Sequence, residues 1–180
     1  MQPIVKKLTY KWYALYTRSR AEKKVFQELT RNGIEAYLPL IKTIKQWSDR
    51  KKKVEEPLIR SYVFVKVSEK EYYMVLNTEG AVRYITFEGK AVAIPDKQME
   101  SLKKIIGDEI PFELSEQKFS PGDAIIITSG VMAGIEGEII QHAGSRKMLV
   151  RIGDTGHSLM VSLPNNYIQI KPENSFGSLR

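Results

Sequence analysis

The chain begins with a strand pattern and continues with a helix pattern. Aromatic and aliphatic side chains alternate through KWYALYT, residues 11–17, which predicts a strand. Ser19 and Glu22 have the spacing of a capping box, in which both side chains would satisfy free amides at a helix start. The sequence therefore predicts a helix over about residues 20–31, whose apolar face consists of Ala21, Val25, Phe26 and Leu29.

Four more strands and two more helices follow this first pair. Residues 35–47 and 61–67 are predicted strands joined by a charged stretch, and Pro39 predicts a bend or an edge position in the first of them. The later elements are a short helix after the capping box of Ser68 and Glu71, a hairpin of residues 82–87 and 91–94, and a helix from Asp96 to Gly107. This order predicts an α+β domain with a mostly antiparallel sheet.

A glycine-spaced segment dominates the second half of the chain. Residues 119–142 read FSPGDAIIITSGVMAGIEGEIIQH, in which strands are predicted at 124–128 and 137–141. The glycines would supply a tight turn at Gly130 and Gly134, and a close backbone approach or a positive φ at Gly137. Alone, this is the pattern of an ordinary hairpin. Further strand candidates near Met148, Leu159 and Tyr167 extend it to a five-stranded, SH3-like barrel.

Composition limits the classes of function. The chain has 180 residues and no cysteine, which excludes disulfides, thiolate metal sites and thiol catalysis. An acidic stretch with Pro111 marks residues 108–119 as a linker, so the predicted domains are residues 8–107 and 120–172. No apolar run has the length of a membrane span and the start has no signal-peptide pattern, so we expect a soluble, cytoplasmic protein.

Positive charge is concentrated in the first predicted domain. The net charge is +7, and residues 1–107 hold 22 Lys and Arg against 12 Asp and Glu, whereas residues 120–180 hold five of each. Nucleic acid or an acidic surface is therefore expected to meet the first domain, unless the charge serves solubility alone. The first predicted helix carries a polar stripe, which usually indicates a solvated face but also fits contact with phosphates: Arg20, Lys23, Lys24, Gln27 and Arg31, with Arg18 before it.

Two further groups of residues are candidates for binding. The charged stretch and the strand before it carry Lys42, Lys45, Arg50, Lys51, Lys52 and Lys53 beside Trp47, a set that fits either a phosphate backbone with a stacked base or a soluble sheet edge. Apolar side chains in PLIRSY, residues 57–62, join Tyr13, Tyr16, Tyr37 and Leu38 in either a groove for a partner helix or ordinary core packing.

Catalysis is not indicated by any motif. His142 and His157 have no nucleophile or carboxylate cluster beside them in the sequence, and the HExxH, GxxxxGK[ST] and GxSxG patterns are absent. We therefore expect no enzymatic activity, no metal and no cofactor.

Three segments in this order resemble NusG-type transcription elongation factors, which have an N-terminal NGN domain and a C-terminal KOW domain. The segments are WYALYTRSRAEKKV at 12–25, PLIRSYVFVKV at 57–67 and FSPGDAIIITSGVMAGIEGEII at 119–140. The first two are most similar to specialised paralogues of the RfaH, LoaP and UpxY type, which the resemblance associates with antitermination in long polysaccharide operons. A housekeeping member is the alternative within the family.

The resemblance implies that the NGN domain binds the β′ clamp helices of RNA polymerase through an apolar pocket. By motif position, Tyr16, Leu58, Ile59 and Tyr62 would line this pocket, although Ile59-Arg60-Ser61 stands where relatives commonly have Phe-Pro and then Gly or Asn. It further implies contact with the non-template DNA strand through Arg18, Arg20, Lys23 and Lys24, and through Arg83. The polar motif that contacts the β gate loop in RfaH is replaced here by Glu71-Tyr72-Tyr73.

The resemblance leaves the partner of the KOW barrel open. In relatives this barrel recruits a ribosomal protein, a termination factor or RNA, and its zero net charge here disfavours strong RNA binding. The function implied is that of a monomeric factor that promotes processive transcription. A ribosome- or RNA-associated KOW protein and an enzyme acting on nucleic acid are the alternatives from other classes.

Overall fold

The structure, a computed structural model, describes residues 8–47, 50–117, 122–143, 145–163 and 168–170. The chain divides into two compact units between Ile94 and Pro95. The domains predicted from the sequence differ, because they place the helix at Asp96 in the first domain. Those predicted domain limits stay a prediction.

Within the first unit, five of the strands form an antiparallel sheet that carries two helices. In chain order the elements are β1 Lys11–Thr17, α1 Glu22–Arg31, β2 Glu35–Tyr37, β3 Leu40–Gln46, β4 Lys51–Pro57, β5 Tyr62–Val67, α2 Tyr72–Leu76, β6 Ala81–Tyr84, β7 Thr86–Phe87, β8 Lys90–Ala91 and β9 Ala93–Ile94. The sheet order is β2-β5-β1-β6, with β9 also paired to β1. Two separate hairpins, β3-β4 and β7-β8, complete the unit.

The core of the first unit lies where α1 and α2 meet one face of this sheet. Alternation along the strands places Leu15 of β1 beside the valines of β5, because side chains two residues apart share a face. Val25 and Leu29 of α1 are fully buried against that face, with Ala21 and Phe26 packed at its margin. The predicted apolar face of the first helix is therefore confirmed.

Several predicted local features differ from the structure. Helix α1 begins at Glu22 rather than near Arg20, and its start has no side-chain capping bond, so the capping box of Ser19 and Glu22 is wrong. The second box is half formed: the Glu71 carboxylate accepts the Ser68 amide at 2.8 Å, which lowers the pKa of that carboxyl. The predicted strand over residues 35–47 is divided into β2 and β3 by Leu38 and Pro39, as the proline suggested.

The second unit contains one helix and an antiparallel sheet. Its elements are α3 Asp96–Gly107, β10 Phe112–Ser115, β11 Ala124–Ile127, β12 Glu136–His142, β13 Ser145–Arg151, β14 Ser158–Ser162 and β15 Ile168–Ile170. The order is β10-β14-β13-β12-β11-β15, so the chain returns to pair β15 with β11, as expected of a small SH3-like barrel. The predicted fold class, α+β with a small β-rich second part, is confirmed.

Part of the predicted linker is structured. Strand β10 pairs with β14 along four residues, an arrangement that the stretch 108–119 did not reveal because its polar pattern has no sustained period. Helix α3 also contacts the barrel strands: the Ser101 hydroxyl accepts the Glu136 amide at 3.0 Å, and the Gln98 side chain accepts the Gly153 amide at 3.1 Å.

The glycine-spaced segment forms the predicted hairpin. Gly130 and Gly134 have φ values of +76° and +85°, which only glycine adopts without strain, and they turn the chain between β11 and β12. Gly137 serves the other predicted purpose, since a Cβ there would lie 2.6 Å from the Leu149 carbonyl oxygen of β13. Some residues of the predicted barrel lie outside the described residues, namely 120–121, 144, 164–167 and 171–172.

Candidate functional site

Two tyrosines and an arginine meet across three neighbouring strands of the first unit. Tyr16 of β1 lies opposite Tyr62 of β5 and opposite Arg83 of β6 in the sheet register. The tyrosine rings contact edge to face, with centroids 5.6 Å apart, and the Arg83 guanidinium lies 5.6 Å from the Tyr16 ring centroid. Both rings are half-buried and Arg83 is exposed. Partial burial raises the pKa of the Tyr62 hydroxyl.

The turn before β5 is held in an unusual conformation. Ser61 has a φ of +62°, a left-handed value that is strained for any residue with a Cβ. Its amide donates a 2.6 Å hydrogen bond to the buried carboxylate of Glu22, and its carbonyl accepts the Thr17 amide at 2.8 Å. The start of α1 and the end of β1 thus hold this turn. The Glu22 side chain, predicted to cap its own helix, instead satisfies an amide 39 residues away.

The four residues predicted to line the polymerase pocket are only partly brought to the surface. Leu58 and Ile59 are 6% and 2% exposed, so both pack inside the first unit. Tyr16 and Tyr62 are the two that stay partly exposed. The register between β1 and β6 shifts at Tyr16 and Thr17, and such irregularities bend a strand and re-aim its side chains.

Ser61→Gly is expected to stabilise the first unit. Glycine removes the left-handed strain of the folded state, which costs about 1–2 kcal/mol for other residues. It also increases the conformational entropy of the unfolded chain, which lowers stability by about 0.5–1 kcal/mol. The free energy of unfolding should rise by about 0.5–1 kcal/mol in urea denaturation followed by tryptophan fluorescence, since Trp12 and Trp47 both lie in this unit. Ser19→Gly, where φ is not positive, is the matched control and should be mildly destabilising. An equal decrease of the free energy of unfolding in both variants would show that Ser61 is not strained.

The predicted DNA-binding cations lie around the start of α1, all of them exposed. Lys23 and Lys24 belong to the helix, whereas Arg18 and Arg20 precede it and Arg20 has a φ of +65°, so Arg20 is not part of the helical stripe. Lys24 pairs with Glu79 at 2.8 Å, which lowers the pKa of the Glu79 carboxyl. Arg83 is separate from this group in the sequence and lies instead on the Tyr16 ring.

An open cleft lies between the start of α1 and the base of the β3-β4 hairpin. Its volume is about 560 Å³, and four cations line it: Arg20, Lys23, Lys45 and Arg60. Lys23 donates a 2.8 Å hydrogen bond to the Glu55 carbonyl oxygen, and Lys45 is paired with Glu56, which lowers the pKa of that carboxyl. These contacts join helix and hairpin along a mostly polar surface.

The remaining candidates for chemistry are the two histidines, of which His157 contacts a backbone carbonyl and a carboxylate. His157 lies 3.0 Å through Nδ1 from the Thr155 carbonyl oxygen and 3.3 Å through Nε2 from Glu116, while the His142 side chain lies outside the described residues. Among the described residues, no cluster of three or more histidines and carboxylates is arranged to hold a metal ion. Every helix in the described part of the chain is too short or too polar to cross a bilayer.

Comparison with known proteins identifies the family. A family model described as "Transcription termination factor nusG" matches residues 10–103, more than half of the chain. The chain belongs to the NusG family. Members of the NusG family are transcription termination and antitermination factors, which agrees with the expectation that the chain is not an enzyme.

Whole-length relatives in the NusG family are similar to this chain at low identity. The transcription termination/antitermination protein NusG of Rickettsia felis is 22% identical over 94% of this chain and 93% of its own length, and that of Rickettsia prowazekii is 21% identical with the same coverage. The solved structure of Thermotoga maritima NusG is 24% identical, covers 90% of this chain and 97% of its own, and superimposes with a TM-score of 0.44.

Proposed function

We propose that the chain binds RNA polymerase through the surface of Tyr16 and Tyr62, with Leu58 and Ile59 as the packed support of that surface. The ring contact across β1 and β5 supports this proposal, because half-exposed aromatic side chains are the residues on which protein partners most often anchor. The β′ clamp helices are the proposed partner. Arg83, above the Tyr16 ring, places a cation at the margin of the same surface.

The second proposed contact is with the non-template DNA strand. The exposed cations Arg18, Arg20, Lys23 and Lys24 surround the start of α1, and Arg83 lies on the neighbouring strand β6. Cations on a rigid element neutralise phosphates at little entropic cost, and the affinity falls as salt rises. Lys24 would have to exchange Glu79 for a phosphate, since the two are paired in the free protein.

The proposed mechanism is a shift of populations rather than a reaction. A factor that binds the elongating polymerase more tightly than its paused or termination-prone states makes those states rarer, and it does so only to the extent of that difference. Residues 8–107 would act as this clamp, and residues 120–172 would recruit a further partner such as a ribosomal protein or a termination factor. The protein would work as a cytoplasmic monomer without a cofactor.

We propose that the chain is of the operon-specific type, because PLIRSYVFV and the segment at residues 12–25 resemble the specialised paralogues. The deciding experiment is in vitro transcription on two long templates, one carrying the leader of a polysaccharide operon and one lacking it. We expect shorter pauses and greater read-through only on the first. Equal effects on both templates would favour a housekeeping factor, and no effect on either, with sedimentation alongside ribosomes, would favour the RNA-associated alternative.

A further inference from the structure

The β3-β4 hairpin, made of the strands Leu40–Gln46 and Lys51–Pro57, is an arm with an exposed outer half. It forms a two-stranded sheet of its own, paired from Leu40↔Pro57 to Gln46↔Lys51, and the Trp47 amide continues the ladder by donating to the Arg50 carbonyl oxygen at 2.8 Å. Two-stranded hairpins are marginally stable alone in water. In this hairpin Ile44 is 65% exposed and Trp47 is 54% exposed.

The arm carries more positive than negative charge. Its sequence from residue 40 to residue 57 holds six Lys and Arg against Asp49, Glu55 and Glu56, and both glutamates line the cleft. The register places Lys45 directly opposite Lys52, and like charges in that position destabilise a strand pair. Glu56 pairs with Lys45, but Lys51, Lys52 and Lys53 are all exposed towards the tip. A polyanion along the arm would relieve this repulsion.

One face of the arm is continuous with the cleft at the start of α1. Ile41 and Lys45 both line the cleft, together with three further cations, Arg20, Lys23 and Arg60, and three carboxylates, Glu22, Glu55 and Glu56. Side chains alternate along a strand, so Lys45, its cross-strand partner Lys52, and Trp47 share the face on which Ile41 lies. This face therefore leads from a cleft of mixed charge to two lysines and an exposed indole after β3.

We propose that this face of the hairpin arm binds single-stranded nucleic acid, with phosphates along Lys45 and Lys52 and an unpaired base stacked on Trp47. The inference extends, and rests on, the proposed DNA contact of α1. Basic grooves with aromatic platforms hold single strands in this way, whereas a paired base has no free face for the indole. The 560 Å³ cleft, which is lined by residues of both charges, lies between the two surfaces.

The two tryptophans provide a direct readout. Trp12 is 3% exposed and Trp47 is 54% exposed, so a base stacked on Trp47 should quench the exposed part of the emission and leave that of Trp12. Titration of the full chain with a 20-nucleotide oligodeoxythymidine strand should give saturable quenching. Trp47→Phe should abolish most of the quenching while keeping binding, and Trp47→Ala should weaken binding about tenfold.

Charge is tested separately with matched double variants. K45Q/K52Q changes the two lysines of the proposed face and should reduce the slope of log affinity against log salt by up to about 1.4, because each single-strand phosphate contact contributes about 0.7. K70Q/K90Q removes two exposed lysines elsewhere and should leave both slope and affinity unchanged. A 20-base-pair duplex should bind without quenching. Wild-type affinity and quenching in the hairpin variants, or equal quenching by the duplex, would overturn the proposal.

Failure of the single-strand site can be distinguished from failure of the proposed polymerase-binding function. The hairpin variants should co-purify with RNA polymerase as the wild type does, because Tyr16 and Tyr62 are unchanged. If the wild type binds the oligonucleotide through Trp47 but never polymerase, the clamp function is wrong and the strand site stands. If it binds polymerase and the hairpin variants bind the strand like wild type, the strand site is wrong alone.

Discussion

A Tyr16→Ala/Tyr62→Ala double variant should lose RNA polymerase binding by more than 100-fold while the chain stays folded. Each truncation removes an aromatic anchor, and such residues commonly contribute about 2 kcal/mol or more to an interface, which is about 30-fold in affinity. The rings contact each other at 5.6 Å, so the effects of the single variants should not be additive. Removing Tyr16 also withdraws the ring on which Arg83 lies.

The measurement is the dissociation constant for core RNA polymerase, with the tryptophan fluorescence of the free variant as a check of folding. Tyr16→Phe/Tyr62→Phe keeps both rings and should bind within about threefold of wild type. Phe87→Ala removes an aromatic side chain that is 67% exposed on the separate β7-β8 hairpin, and it should change nothing. Wild-type affinity in the double alanine variant would place the polymerase surface elsewhere.

Gly137→Ala should unfold or severely loosen the second unit. The added methyl group would lie 2.6 Å from the Leu149 carbonyl oxygen and 2.8 Å from the Met148 side chain, both in the paired strand β13. Contact with backbone cannot be relieved by a rotamer change, so β12 and β13 would have to separate. We expect a loss of about 3 kcal/mol, at the upper end for an overpacked core.

Hydrogen exchange of the amides in β12 and β13 measures this loss directly. Gly107→Ala is the matched control in the same unit, because no atom lies within 4 Å of a Cβ at Gly107 and its φ is not positive. Alanine is the better helix former at the end of α3, so this variant should be neutral or slightly more stable. Unchanged exchange in Gly137→Ala would mean that β12 and β13 are not packed this closely.

The fold could be predicted from the sequence because its signals are local. Apolar periodicity identified α1, and the glycine spacing identified both the turn at Gly130 and Gly134 and the close strand approach at Gly137. The failed capping box shows the limit of such signals. The Ser19 and Glu22 spacing was correct, but the Glu22 carboxylate accepts the Ser61 amide instead, a partner that only the tertiary fold brings near.

The candidate site could be predicted only in part, for the same reason. The identity of Tyr16 and Tyr62 follows from motif position, but burial of Leu58 and Ile59 depends on elements from across the first unit. The charged stretch was predicted to be a connection between strands, but most of it is strand β4, because it pairs with β3 in a two-stranded sheet of its own. Leucine, isoleucine and tyrosine in one segment fit a core and a groove equally.

The hydrogen bond between the Ser61 amide and the Glu22 carboxylate joins helix α1 and the turn before β5 into one structural element. One end of this element carries the cations proposed to hold DNA, and the other carries Tyr62. A change that displaces the start of α1 would therefore also act, through this hydrogen bond, on the turn that precedes Tyr62. Substitutions that adapt one surface to a new template would, through this bond, also alter the grip of the other.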